Sequence, residues 1–263
     1  MAARARVWFL GTSASVATLE RGNAAFAVAA ADAQALWLVD AGPGVHQALV
    51  SSGLDAMLLE DVFLTHQHGD HLLGLPMLSN ALWDRRVTAP VRVHGPASAL
   101  DALRAVTVAV FPLHDRPFRE RVRLHRHAAD RDQHERLDAG LVRSAPVSHS
   151  VPAVGYRCEI AGVSIVFSGD AAPSPALVRL ASGADLLVHD ATFSGRPAPV
   201  GRPPDHSTAA QAAEIASRAG VRRLALVHLP PEARGRESAI AAEAAAVFRG
   251  EVLVPADGDV VEL

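Results

Sequence analysis

The chain has 263 residues, of which 49% are hydrophobic and 20% charged, and a formal net charge of −3. That length supports a substantial core in one large domain or two small ones, and the composition is ordinary for a globular protein. No apolar run reaches the length of a membrane span, and the charge gives no general attraction to nucleic acid. The single cysteine, Cys158, leaves no internal disulfide and suits the cytoplasm.

The first residues, Met1 to Arg6, lead into a strand-like run, Arg6–Leu10, without a signal-peptide pattern. Ala24–Ala29 and Ala35–Asp40 read as further strands, the latter ending at Asp40-Ala41-Gly42-Pro43-Gly44. A helix is predicted over Val45–Ser52 and stopped by Gly53. Asp61–Thr65 is a predicted strand, followed by a histidine-rich loop and a helix over Leu73–Trp83. Val91–His94 then reads as a strand and Ala97–Val106 as a helix. The middle, Phe118 to Val147, alternates weakly, as strands do. Its arginines are interleaved with acids, the mark of a solvated mixed-charge surface. Tyr156–Ile160 and Ser164–Ser168 form a predicted hairpin turning at Ala161-Gly162. Strands over Ala184–His189 and Arg223–His228 flank a helix over Thr208–Ala219. A helix over Glu237–Phe248 and strands over Glu251–Val254 and Val260–Leu263 complete the chain. Strands mixed with helices on both sides imply a layered α/β fold in one domain, 1–263.

The densest chemical signal is His66, His68, Asp70 and His71, four potential metal ligands within six residues after an apolar strand. His66 and His68 are two apart and point the same way in extended chain. Gly69 allows a tight turn, so Asp70 and His71 can approach from another side. One short segment can therefore serve two neighbouring metals. Other candidate ligands each follow an apolar run: His149, Asp170 and His228. Alone, either histidine reads as an ordinary partly buried residue and Asp170 as a turn aspartate. The histidine loop demands partners, and together the residues make a two-metal set. His66, His68 and His149 are expected on one ion, Asp70, His71 and His228 on the other, and Asp170 between them. His46, His94, His114, His125, His127 and His134 carry no assignment, although His94 before Gly95-Pro96 stands out.

Thr65-His66-Gln67-His68-Gly69-Asp70-His71 resembles the THxHxDH motif of the metallo-β-lactamase superfamily. Phe9-Leu10-Gly11-Thr12-Ser13-Ala14 with Arg21-Gly22-Asn23 is similar to the opening of its ribonuclease Z-like branch. So are the Asp40–Gly44 turn, Gly74-Leu75-Pro76, the His149–Tyr156 segment, Ser168-Gly169-Asp170, Leu187–Phe193 and His206-Ser207-Thr208-Ala209. The resemblance runs in order along nearly the whole chain. It implies an αββα sandwich of two mixed sheets flanked by helices, with the metals at one edge. It also implies that Asp190 and His206 pair beside the metals to protonate a leaving oxygen. Two departures stand out. The family's glutamate is Asp190 here, one methylene shorter. The long arm that clamps tRNA in the family is missing between Tyr156 and Asp170.

The expected activity is a dinuclear metal-dependent hydrolase, first of all a phosphodiesterase. Two divalent ions about 3.5–4 Å apart acidify a shared water, giving a bridging hydroxide near neutral pH. Asp70 serves as ligand and orients the nucleophile; Asp190 and His206 form the acid pair. The ions are expected to be zinc, with manganese or iron as alternatives. Without the arm, small or cyclic diesters compete with RNA 3′ ends as substrates, and a homodimer is a family-level expectation. Sulfate-ester or acyl (lactam or thioester) hydrolysis is the second reading. A non-catalytic binding protein is the third, disfavoured by the intact ligand set. Ligating histidines need oxygen acceptors for their other ring nitrogens, and the sequence does not assign these.

Overall fold

In the computed structural model, which describes residues 3–32, 35–84, 90–111, 122–194 and 205–263, two seven-stranded mixed sheets lie face to face. The first holds β1 (Ala5–Gly11), β2 (Ala25–Ala30), β3 (Leu36–Val39), β4 (Leu59–Phe63), β5 (Val91–Pro96), β6 (Val122–His127) and β14 (Val260–Glu262). Its order is β14-β1-β2-β3-β4-β5-β6. The second holds β7 (Gln133–Leu137), β8 (Gly140–Pro146), β9 (Val154–Ile160), β10 (Val163–Phe167), β11 (Leu186–Asp190), β12 (Arg223–Val227) and β13 (Glu251–Leu253). Its order is β13-β12-β11-β10-β9-β8-β7. Each sheet is part antiparallel and part parallel: β3 to β6 run parallel in the first, and β10 to β13 in the second.

The side-chain parity of the strands explains the layering. Successive strand residues point to opposite faces, so a strand covered on both sides reads as continuously apolar. Trp37 and Val39 face the layer between the sheets with Phe9, Phe63, Tyr156, Ile165 and Phe167. Their neighbours Leu36 and Leu38 face outward, onto helices α1 (Val45–Ser51), α3 (Leu75–Asp84) and α4 (Ala97–Val110) through Leu49, Leu78 and Leu100. On the second sheet, Val166, Leu187, Leu224 and Leu226 face α5 (Pro175–Leu180), α6 (Ala209–Ala219) and α7 (Glu237–Ala245). Alanines 209, 212, 213 and 216 make that face of α6 small enough to lie close on the sheet.

Several element boundaries differ from the sequence reading, for local reasons. The helix predicted over 73–83 is α3, starting two residues later, and a short helix, α2 (Gly69–Leu72), stands before it where the histidine loop was expected. Between them Gly74 lies against the Ala41 and Gly42 carbonyls, where any Cβ would collide with backbone. Helix α4 continues to Val110, whereas α7 stops at Ala245. The six-residue α5 carried too short a pattern to be predicted; Ser174 caps it by accepting from Leu177 N–H. The middle segment forms β6, β7 and β8, while its beginning, Phe118 to Arg121, and His114 lie outside the described residues. Ala161 and Gly162 turn the β9–β10 hairpin in two residues, both with positive φ, so no arm leaves the sheet there. Among the described residues, no helix is long and apolar enough to cross a membrane.

Candidate metal centre

The site lies where the parallel strands end, the usual place for a site in open α/β sheets. Strand β4 delivers Thr65 to His71, β10 delivers Asp170, β11 delivers Asp190 and β12 delivers His228. The loop after β4 is pinned at both ends by Asp40, a buried residue at the end of β3. Asp40 Oδ1 accepts from Thr65 N–H at 2.8 Å, and Oδ2 accepts from His71 Nδ1 at 2.7 Å. The two sheets are tied at this point, because Val154 N–H donates to the Thr65 carbonyl at 3.0 Å. Gly169, with φ of 60°, packs against the Thr65 side chain and turns the chain so that Asp170 faces the loop.

Two donor sets result. In one, His68 Nδ1 lies 3.0 Å from His66 Nε2 and 3.2 Å from His149 Nε2. Asp170 Oδ2 faces this set, 3.6 Å from His66 Nε2 and 3.9 Å from His149 Nε2. In the other, His71 Nε2 and His228 Nε2 are 3.3 Å apart, with Asp70 Oδ2 at 3.6 and 3.4 Å from them. Asp170 Oδ1 faces this second set at 3.2 Å from His71 and 3.3 Å from His228. An ion held tetrahedrally by nitrogen and oxygen at about 2.0–2.1 Å spaces its ligand atoms about 3.3 Å apart, so both sets have the span of a coordination sphere. Asp170 Oδ1 is a buried acceptor with no hydrogen-bond donor, a state that a cation relieves. The chain thus brings together all seven residues expected as ligands, in two groups that share Asp170.

The oxygen acceptors that the sequence left unassigned are now visible. His66 Nδ1 donates to Thr65 Oγ at 2.9 Å, and His149 Nδ1 to the Asp205 carbonyl at 2.9 Å. His71 Nδ1 donates to Asp40, and His228 Nδ1 to Thr192 Oγ at 2.7 Å. Each bond holds the proton on Nδ1 and leaves Nε2 as a lone-pair donor facing the cluster. Asp40, Thr65, Thr192 and Asp205 were not predicted as acceptors, because an acceptor carboxylate, hydroxyl or carbonyl has no sequence signature that says which ring it meets. His228 adopts a positive φ of 59°, a strained conformation for histidine that the surrounding hydrogen bonds hold.

Electrostatics agree with the geometry. Burial opposes charge on Asp170, but His228 and His71 outweigh it and hold the carboxyl well below its ordinary range. Conversely, burial disfavours charged His228, yet Asp170, Asp190 and Asp70 push it up to about 10. His71 is also raised, against burial, by Asp170 and Asp40. The carboxylates therefore create a field that draws protons onto two histidines and draws a divalent cation in their place. His66 is the opposite case: burial, then the charge of His71, keeps it neutral.

Beside these sets, His206 Nδ1 donates to Asp190 Oδ2 at 2.8 Å. The shorter aspartate therefore still reaches its histidine. Asp190 is buried and also accepts from Ala171 N–H, Ser207 N–H and both donors of Thr192. Burial disfavours protonated His206, but the hydrogen bond and charge of Asp190 raise its pKa above the ordinary value. Its ring stacks on that of His228 at 5.4 Å and lies 5.2 Å from that of His149, so it adjoins both sets. Thr208, two residues further on, caps α6, with Gln211 completing a reciprocal capping box.

A fold of two mixed sheets between helices, with paired His/Asp donor sets at the strand ends, defines a metal-dependent hydrolase of the β-lactamase superfamily. Residues 37–229 match the model of the β-lactamase superfamily domain, and the chain belongs to that superfamily. Within it, similar proteins include ribonucleases Z. That of Natronomonas pharaonis is 31% identical over 98% of this chain and 97% of its own length. One from Synechococcus is 32% identical over 94% of this chain and 93% of its own. The first alignment spans 313 positions, so that relative carries segments this 263-residue chain lacks. Among solved structures, the short form of human tRNase Z superposes with a TM-score of 0.78 at 25% identity, covering 98% of each chain. The metallo-β-lactamase fold protein YhfI of Bacillus subtilis superposes with a TM-score of 0.84 at 21% identity over 98% and 99%, a likeness of fold.

Proposed function

We propose that the protein is a cytoplasmic, single-domain phosphodiesterase that works with two divalent ions. His66, His68 and His149 would hold one, Asp70, His71 and His228 the other, and Asp170 would bridge them. The observation that carries this reading is Asp170: its two oxygens face different histidine sets, and one is buried without a donor. Five imidazoles favour zinc, with manganese or iron as alternatives. When bound, the ions supply Lewis acidity and acidify water for attack on phosphorus.

The chain's own groups supply the rest. Asp70, held at 3.4 Å from His228, orients the attacking water as well as serving as a ligand. His206, kept protonated by Asp190, donates its proton to the leaving oxygen. The two-residue β9–β10 turn leaves no protruding arm at that position to grip a folded RNA, so small or cyclic diesters are favoured over precursor tRNA.

The test is turnover of a chromogenic phosphodiester by protein stripped with a chelator and then resupplied with zinc or manganese. Activity should vanish and return in the wild type, and Asp170→Ala should not recover. Full turnover by the metal-free protein would overturn the reading. Assaying cyclic nucleotides, precursor tRNA, sulfate esters, a lactam and a thioester in parallel fixes the substrate class. Cleavage of precursor tRNA as fast as small diesters would refute the preference argued from the missing arm.

A further inference from the structure

A second histidine cluster sits where strand β6, the last of the first sheet, meets β7, the last of the second. It shares no residue with the donor sets at the strand ends. His94 of β5 pairs in register with His125 of β6, and His127 follows two residues on, on the same face. Glu135 of β7 reaches across from the opposite sheet. Its Oε2 lies 3.4 Å from His94 Nδ1 and 3.7 Å from His127 Nε2, and its Oε1 lies 3.3 Å from His125 Nδ1. These contacts are longer than good N–H···O bonds and match the spacing of donors around one ion.

The state of each nitrogen points the same way. Asp61, fully buried in β4, is held by Arg92 through two bonds, Nε to Oδ1 at 2.7 Å and Nη2 to Oδ2 at 2.9 Å. Arg92 also bridges Asp138 at 3.0 Å and Glu60 at 3.7 Å. His94 Nε2 donates to Asp61 Oδ1 at 2.9 Å, which leaves Nδ1 as the lone-pair nitrogen. That Nδ1 belongs to a residue with no exposed surface and is buried with no hydrogen-bond partner. A buried, orphaned lone pair costs free energy unless something binds it. His127 is arranged alike: Nδ1 lies 2.8 Å from Ser144 Oγ, and Nε2 turns to Glu135. Burial pushes His127 down to about 4, which leaves its Nε2 able to act as a ligand. Carboxylate–imidazole–ligand geometry of this kind also appears at the candidate centre, where Asp40 holds His71.

We propose that His94 Nδ1, His127 Nε2 and Glu135 form a separate metal site. It takes a zinc-class divalent ion and fastens the end strands of the two sheets to each other. Two imidazoles and one carboxylate, all from strands, suit such an ion, and the site lies apart from the paired donor sets.

The experiment is equilibrium dialysis of the full chain against zinc, with bound metal counted by elemental analysis, for wild type, His127→Gln and Glu135→Gln. Each variant should bind one equivalent fewer than wild type, whatever the other centre holds. Each should keep turnover of the chromogenic phosphodiester, because neither residue belongs to the paired donor sets. Zinc should raise the Tm of wild type more than that of either variant. If His127→Gln fails to fold, Glu135→Gln, at a half-exposed position, gives the answer alone. Equal zinc stoichiometry in wild type and Glu135→Gln overturns the proposal.

Discussion

Replacing Asp40 by asparagine tests the proposed centre without touching any proposed ligand. Asparagine is isosteric and tolerates the positive φ of 56° at this position. The Oδ1 position must remain an acceptor, because Thr65 N–H donates to it at 2.8 Å and is buried. The amide nitrogen is therefore forced into the Oδ2 position, 2.7 Å from His71 Nδ1. Flipping the amide instead sets donor against donor at Thr65, at a cost of about 1–3 kcal/mol. With an N–H aimed at it, His71 Nδ1 must become the acceptor, the proton moves to Nε2, and the nitrogen facing Asp70, His228 and Asp170 has no lone pair to offer. Restoring the useful tautomer forfeits a charge-assisted bond worth about 1.5–3 kcal/mol. That corresponds to a loss of roughly 10–100-fold in affinity for the ion nearest His71. Zinc titration against a competing chelator reads the affinity, turnover of a chromogenic phosphodiester reads the consequence, and circular dichroism checks the fold. If folded Asp40→Asn binds zinc with wild-type affinity, the assignment of His71 Nε2 as a ligand through Asp40 is refuted.

Other outcomes follow from the same geometry. His206→Ala should cut turnover by about 10²–10⁴-fold with metal binding nearly intact. Because Asp190 raises the pKa of His206, the active, protonated form persists below that pKa and is lost as pH rises through it; the wild type should show an alkaline limb that the variant lacks. A wild-type limb retained by the variant would remove His206 from the proton donor's role. Gly74→Ala would drive a Cβ into the Gly42 and Ala41 carbonyls and cost about 1–3 kcal/mol, lowering Tm by roughly 2–4 °C for each kcal/mol lost. An unchanged Tm would show that this turn can yield. Cys158 is fully buried, and burial, then the charge of Asp61, raises its pKa. It should resist thiol reagents in the native protein and react at once in denaturant; rapid native labelling would contradict the packing around β9.

The sequence by itself determined the class of chemistry and its cast. The ligand-rich run from His66 to His71 is local, so one short segment carries both residue type and spacing, and apolar runs ahead of His149, Asp170 and His228 marked them as strand-end positions. The doubly buried strands, such as Leu36–Val39, were legible because each face needs its own apolar residues. Only the tertiary structure decided which groups meet. Asp40 and His71 are 31 residues apart and His71 and His228 are 157 apart, so the tautomer of each ring depends on contacts that no local pattern encodes. The same reason hid the second cluster. His94, His127 and Glu135 come from three strands of two sheets, and although His94 stood out before Gly95-Pro96, nothing local linked it to the other two. They converge because packing two sheets face to face brings β6 and β7 together, and burial then leaves the lone pair of His94 without a partner.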